Sequence, residues 1–322
     1  MHAMPRRRIP TLVLAAVALM AAAIPLVERA QASDDLERQL RDQYKGKTFL
    51  LRGFYAGARL DYDSAGAASG DPMVGDWTVS GAVQVKDVHL SGHHLRIQAR
   101  RLYLGWYKSG LQAVESAEND KDKRKAEEKL RVVDIDADFA SGAVTADTAS
   151  AALSRIFLNA QDHFADLVPD YWKPCVRAAL SSAPPQQYSQ CRVSPEFLAI
   201  PGMALGQDDQ TNSGNSGAAN QSAPPIKVIG VRNGVSPPKA ITSPEPEFSD
   251  EARRLKYQGT IALMLIVDPE GNVRDVRVSS PLGCGLDKHA VERVSQWKFQ
   301  PALKGGEPVT VEIAVEVDFH LY

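Results

Sequence analysis

The residues of this chain with the widest chemical range are three cysteines and a histidine cluster. Cys175 and Cys191 lie in one segment and can pair if the chain meets an oxidising compartment. Cys284, within Gly283-Cys284-Gly285, is left over and reads as an inert small residue in a tight turn rather than an activated thiol. The three do not have zinc-site spacing. His89, His93 and His94 gather around a turn, but strand parity points His94 away from the other two unless Gly92 bends the chain. The reading is a solvated turn and no metal. Asp61-Tyr62-Asp63 opens like a calcium loop yet lacks the glycine and the closing glutamate at the required offsets. Gly283-Cys284-Gly285 has no third glycine for a nucleotide loop, and no Ser, Cys or Thr stands at a nucleophile elbow. These residues predict no enzyme and no cofactor. The formal net charge of −2 argues against nucleic acid, and the run Lys121–Lys129 reads as a solvated loop or exposed helix.

The elements near the C-terminus are sharply patterned. Val309, Val311, Ile313, Val315, Val317, Phe319 and Leu321 share one parity, with Thr310, Glu312, Ala314, Glu316, Asp318 and His320 on the other, which predicts a strand with one face on a core. Thr260–Val267 is apolar on both parities, so both faces should be covered. Asp268-Pro269-Glu270-Gly271-Asn272 makes a turn into a returning strand Val273–Ser279, because Pro269 presets φ and Gly271 accepts a positive one. Ser249 caps a helix ending before Gly259. Leu286, Ala290, Val294 and Trp297 form the apolar stripe of a second helix, and Trp297 and Phe299 read as core.

This segment, about Ser236–Tyr322, resembles the C-terminal domain of the TonB family. The matching residues are Ala252-Arg253, Gly259, Val267-Asp268 with Gly271, Leu286-Asp287 with Ala290, and Trp297-Lys298-Phe299-Gln300-Pro301-Ala302. Phe248-Ser249 stands where the family has tyrosine-proline. The resemblance implies a three-stranded antiparallel sheet with two helices. It also implies a partner, the peptide box of an outer-membrane TonB-dependent receptor, bound as an added strand on a sheet edge. The candidate edge is the last strand, through Val309, Val311, Ile313, Val315, Val317 and Phe319; its outward charges also fit an edge blunted against aggregation.

Upstream, Arg6-Arg7-Arg8, the apolar run Ile9–Val27 and Ala30-Gln31-Ala32 pattern as a signal peptide over 1–32, cleaved after Ala32; the alternative is an uncleaved anchor. Either way the rest of the chain is periplasmic, held at the inner membrane if the anchor stays. The run holds no ionisable residue of the kind that would couple an anchor to an inner-membrane motor complex. Residues 33–200 read as a second α+β domain with an antiparallel sheet, with strands over Thr48–Tyr62, Asp76–Leu90, Leu95–Trp106 and Leu130–Phe139 and a bulge near Lys86-Asp87. Its helices fall at Leu36–Tyr44, from Asp147, and over Tyr171–Leu180. Residues 201–238 form a Gly/Asn/Ser/Gln/Pro-rich linker to the domain at 239–322, and its later part can add a strand there. The whole is a two-domain α+β chain. Its first expected function is receptor engagement in support of outer-membrane transport, with energy transduction if anchored. The alternatives are an envelope scaffold for another periplasmic protein or cell-wall polymer, and an exported ligand binder or enzyme acting through the middle domain. A homodimer stays open.

Overall fold

The computed structural model describes residues 26–140, 142–203, 229–230 and 234–321. Most of the apolar N-terminal run and most of the linker lie outside them. Helix α1 (Leu26–Tyr44) crosses Ala30–Ala32 and starts well before Leu36, where the sequence placed its beginning. Among the described residues, no helix is long and apolar enough to cross a membrane. The first unit continues as β1 (Thr48–Leu50), β2 (Arg59–Asp63), α2 (Trp77–Ser80), β3 (Ala82–Ser91), β4 (His94–Leu102), β5 (Leu104–Tyr107) and β6 (Gly110–Ala113). There follow α3 (Lys121–Leu130), β7 (Val132–Asp138), α4 (Ala146–Ile156), α5 (Phe164–Leu167), α6 (Lys173–Leu180) and α7 (Pro195–Leu198).

Five of these strands make one sheet in the order β1-β3-β4-β7-β2, antiparallel except that β2 runs parallel to β7. The parity flip in β3 is a bulge, with the register against β4 shifting between Val85 and Asp87. Three long strand readings were wrong in part, and of these Leu95–Trp106 divides at Tyr103 into β4 of this sheet and β5, which pairs with β6 instead. Trp77–Ser80 is a helical turn, because the Asp76 carboxylate caps it by accepting from Thr78 N at 2.8 Å. Thr48–Tyr62 breaks into β1 and β2 around Phe54 and Gly57, both at positive φ. The charged run is the solvated helix α3, capped by Asp120. Leu36 and Leu40 of α1 and Ala149, Ala152, Leu153 and Ile156 of α4 join the apolar residues of β3, β4 and β7 in one core cluster.

The second unit comprises β8 (Ile229–Gly230), β9 (Lys239–Thr242), α8 (Asp250–Leu255), β10 (Gly259–Val267), β11 (Val273–Ser280) and α9 (Leu286–Val294). It ends with β12 (Lys298–Gln300), β13 (Ala302–Lys304), β14 (Glu307–Val309) and β15 (Val311–Phe319). The expected three antiparallel strands are present as β11-β10-β15, and β8 adds two parallel-paired residues beyond β15. The alternating run does not form one strand. Gly305 and Gly306 both have positive φ and close a two-residue hairpin, so Val309 pairs with Ala302 and β15 begins only at Val311.

A second apolar cluster runs through both units. It holds Trp77, Trp106 and Trp172 of the first and Leu255, Leu263 and Leu286 of the second. The Trp106 and Trp172 rings stack with centroids 5.1 Å apart, and Trp77 stands edge-on to both.

Candidate partner-binding edge

The motif residues build the frame that holds the sheet edge. Ser249 Oγ accepts from Ala252 N at 3.1 Å and donates to Cys284 O at 2.6 Å, so it caps α8 and ties it to the turn before α9. Ala252 is fully buried and the Arg253 guanidinium lies over the Phe248 ring. Asp268 organises the β10–β11 turn: Oδ1 accepts from Asn272 N at 2.7 Å and Oδ2 from Arg274 Nε at 2.8 Å. Gly271 has φ +77°, and a Cβ there would sit 1.8 Å from Phe299 O, so only glycine fits. Asp287 is buried and accepts from Leu282 N at 2.9 Å and from Gly283 N. Burial above all, and the nearby Asp76 charge, push its carboxyl up to about 7 despite those amides. Leu286, Ala290 and Val294 form the buried stripe of α9. Trp297 follows the helix and donates Nε1–H to Pro244 O at 3.1 Å, while Phe299 is buried and Pro301 separates β12 from β13. Gly259 opens β10 packed on Leu282.

The two borders of this sheet differ. Along β11, Val278 N donates to Tyr171 O at 2.9 Å and the Cys191 sulfur lies 3.4 Å from Ser279 O, so the first unit covers the C-terminal end of this border, while Arg274 and Asp275 stay exposed. Cys175 and Cys191 are joined in a disulfide that holds the covering segment. Along β15, Val311 and Glu312 face β8, while Ile313–Phe319 have no outer strand among the described residues. The predicted edge residues therefore separate. Val309 belongs to a hairpin, Val311 is flanked by β8, and Ile313, Val315, Val317 and Phe319 lie on the open run. Val317 and Phe319 are buried, but Ile313 and Val315 are only partly so, which leaves apolar surface beside the open backbone. On the other face Ala314, Glu316 and Asp318 are exposed, and Glu312 is ion-paired with Arg277 of β11. The second face of β10 is less covered than its sequence implied, since Ala262 and Met264 are half-buried.

Contacts far apart in sequence, which residue patterns did not reveal, lock the second unit to the first. Cys284 N donates to Leu104 O at 2.6 Å, Trp106 N to Leu282 O at 2.8 Å, and Gly285 N to Thr78 Oγ1 at 2.9 Å. The Tyr257 hydroxyl lies within hydrogen-bond reach of both Trp106 O and Leu282 O. Gly283 has φ +93° and a Cβ would be 2.4 Å from Leu104 O. Burial raises the Cys284 thiol, in keeping with an inert residue.

Comparison with known proteins agrees with the sequence motifs. Residues 244–321 match the family described as Gram-negative bacterial TonB protein C-terminal. The chain is 32% identical over 78 residues to Protein TonB of Vibrio cholerae, covering 24% of this chain and 32% of that protein. It is 32% identical over 80 residues to Protein tonB2 of Pseudomonas aeruginosa, covering 24% and 30%. The chain thus spans about a third of the length of the curated relatives it matches. A solution structure of the Pseudomonas aeruginosa TonB CTD aligns with 29% of this chain and 93% of its own length, at 16% identity and a TM-score of 0.24. The segment that the family model matches is the one whose motif residues resemble the TonB C-terminal domain.

Proposed function

We propose that this chain is a TonB-like protein of the Gram-negative envelope that binds the peptide box of an outer-membrane TonB-dependent receptor as an added strand on β15, and so supports transport across the outer membrane. It acts as a binding protein rather than an enzyme. If residues 1–32 remain as an inner-membrane anchor, the same grip transmits energy from a motor complex. If they are cleaved at Ala32, it is a soluble periplasmic adaptor. The domain division read from the sequence, 33–200 and 239–322, belongs to the same reading: one unit supports, the other grips.

The observation that carries this is the asymmetry of the sheet borders inside the segment matched to the family. The first unit covers β11 at Val278 and Ser279, and among the described residues β15 has no outer strand from Ile313 to Phe319. An incoming strand there gains about six main-chain hydrogen bonds at ~0.5–1.5 kcal/mol net each, less the cost of association, which makes a reversible grip. Backbone amides alternate sides along a strand, so of Ala314 and Val315 one points its N–H outward and the other at β10. Proline removes that donor. Of the variants Ala314→Pro and Val315→Pro, one should stay folded by circular dichroism and bind a receptor-box peptide at least tenfold more weakly in fluorescence anisotropy. A folded variant that binds like the parent contradicts the proposal.

A further inference from the structure

We propose that the tip of the β3–β4 hairpin binds a divalent transition-metal ion of the zinc class through His93, His94 and Asp138. This site lies in the first unit and is independent of the β15 reading. The condition that the sequence left open, a bend at Gly92, is met. Gly92 has φ +62° and, with His93, forms the two-residue turn between the paired Ser91 and His94. The bend lays the two imidazoles side by side, with ring centroids 4.3 Å apart. His93 is fixed from behind, because its carbonyl accepts from Phe139 N at 2.8 Å. Asp138 is the residue paired with His94 across β4 and β7, and its Oδ1 lies 3.5 Å from His93 Nε2. One ligand atom from each of the three lies within 4.8 Å of the others.

The surroundings favour a ligand role. His94 Nδ1 is 2.9 Å from Oδ1 of Asp136, a carboxylate only 3% exposed that Arg96 also holds at 2.8 Å. A proton on Nδ1 shared with this carboxylate leaves the Nε2 lone pair free and sets the ring orientation, as supporting carboxylates do behind metal-bound histidines. Two imidazoles and one carboxylate suit zinc, nickel or copper better than calcium or magnesium, and three protein ligands leave a tetrahedral position for water.

The test is calorimetric titration of the full, chelator-stripped chain with zinc chloride, paired with the visible absorption of cobalt(II). One equivalent is expected to bind. His93→Ala and His94→Ala should each weaken binding by about a hundredfold or more, and Asp136→Asn by about 10- to 100-fold. His89→Ala should change nothing, since His89 faces Glu37 and Asp87 instead. His89, His93 and His94 lie on the hairpin and Asp136 on the adjoining strand β7, and circular dichroism checks that each variant is folded. Absence of zinc binding by the parent chain overturns the proposal, as does an unchanged affinity in the His93→Ala/His94→Ala double variant.

Discussion

Asp287 accepts two turn amides while fully buried, and its neighbour across the unit boundary is another carboxylate, the helix cap Asp76. With its folded pKa raised from 3.8 to about 7, folding takes up a proton between those values. The contribution of Asp287 to stability is therefore full below about pH 4 and is lost as pH rises through 7. Asp268 acts with the opposite sign. Burial pushes it up, but the Asn272 amide and the Arg274 guanidinium outweigh burial and hold it below 3.8, so its contribution is lost only as pH falls below that value. Asn caps helices as well as Asp, so Asp76→Asn should keep α2 while relieving Asp287. Urea unfolding at pH 5 and pH 8 should show a smaller alkaline loss of stability in the variant than in the parent; an equal loss contradicts the coupling. At this scale the sequence was readable where a residue serves its own turn, as with Ser249, Asp268 and Gly271. The Tyr257–Trp106 and Thr78–Gly285 hydrogen bonds were not readable, because their partners lie 151 and 207 residues apart along the chain and no periodicity encodes them.

The elements divide in the same way. Period-two alternation matches the burial of β15 at Val311 and over Ala314–Phe319, since side-chain parity is a property of the strand itself. It could not locate the break at Thr310, which comes from the Gly305-Gly306 hairpin; that glycine pair was a turn signal open to reading. Nor could it assign borders, because what covers β11 is Tyr171 and Cys191 from another unit. The Cys175–Cys191 bond closes a loop with a sequence separation of 16 and thereby holds that cover. Its reduction should cost about 3 kcal/mol of stability from loop entropy. It should also speed amide exchange at Val278 more than at Leu263 in the sheet centre. Equal changes at both would mean that the disulfide does not secure the β11 border.

At the scale of the whole molecule, the two units share an apolar cluster and a set of main-chain hydrogen bonds through Leu104, Trp106, Leu282 and Cys284; Tyr171 and Cys191 of the first unit meet the β11 border, while among the described residues Ile313–Phe319 of β15 have no outer strand. Under the proposed strand addition, this packing backs the sheet on the side away from the incoming peptide. The most direct measurement is amide hydrogen exchange of the full chain, alone and saturated with a synthetic receptor-box peptide. Alternate amides across Ile313–Phe319 should slow at least tenfold while those of β11 stay as they were. Bound peptide with unchanged exchange along Ile313–Phe319, or protection confined to β11, would contradict strand addition at β15.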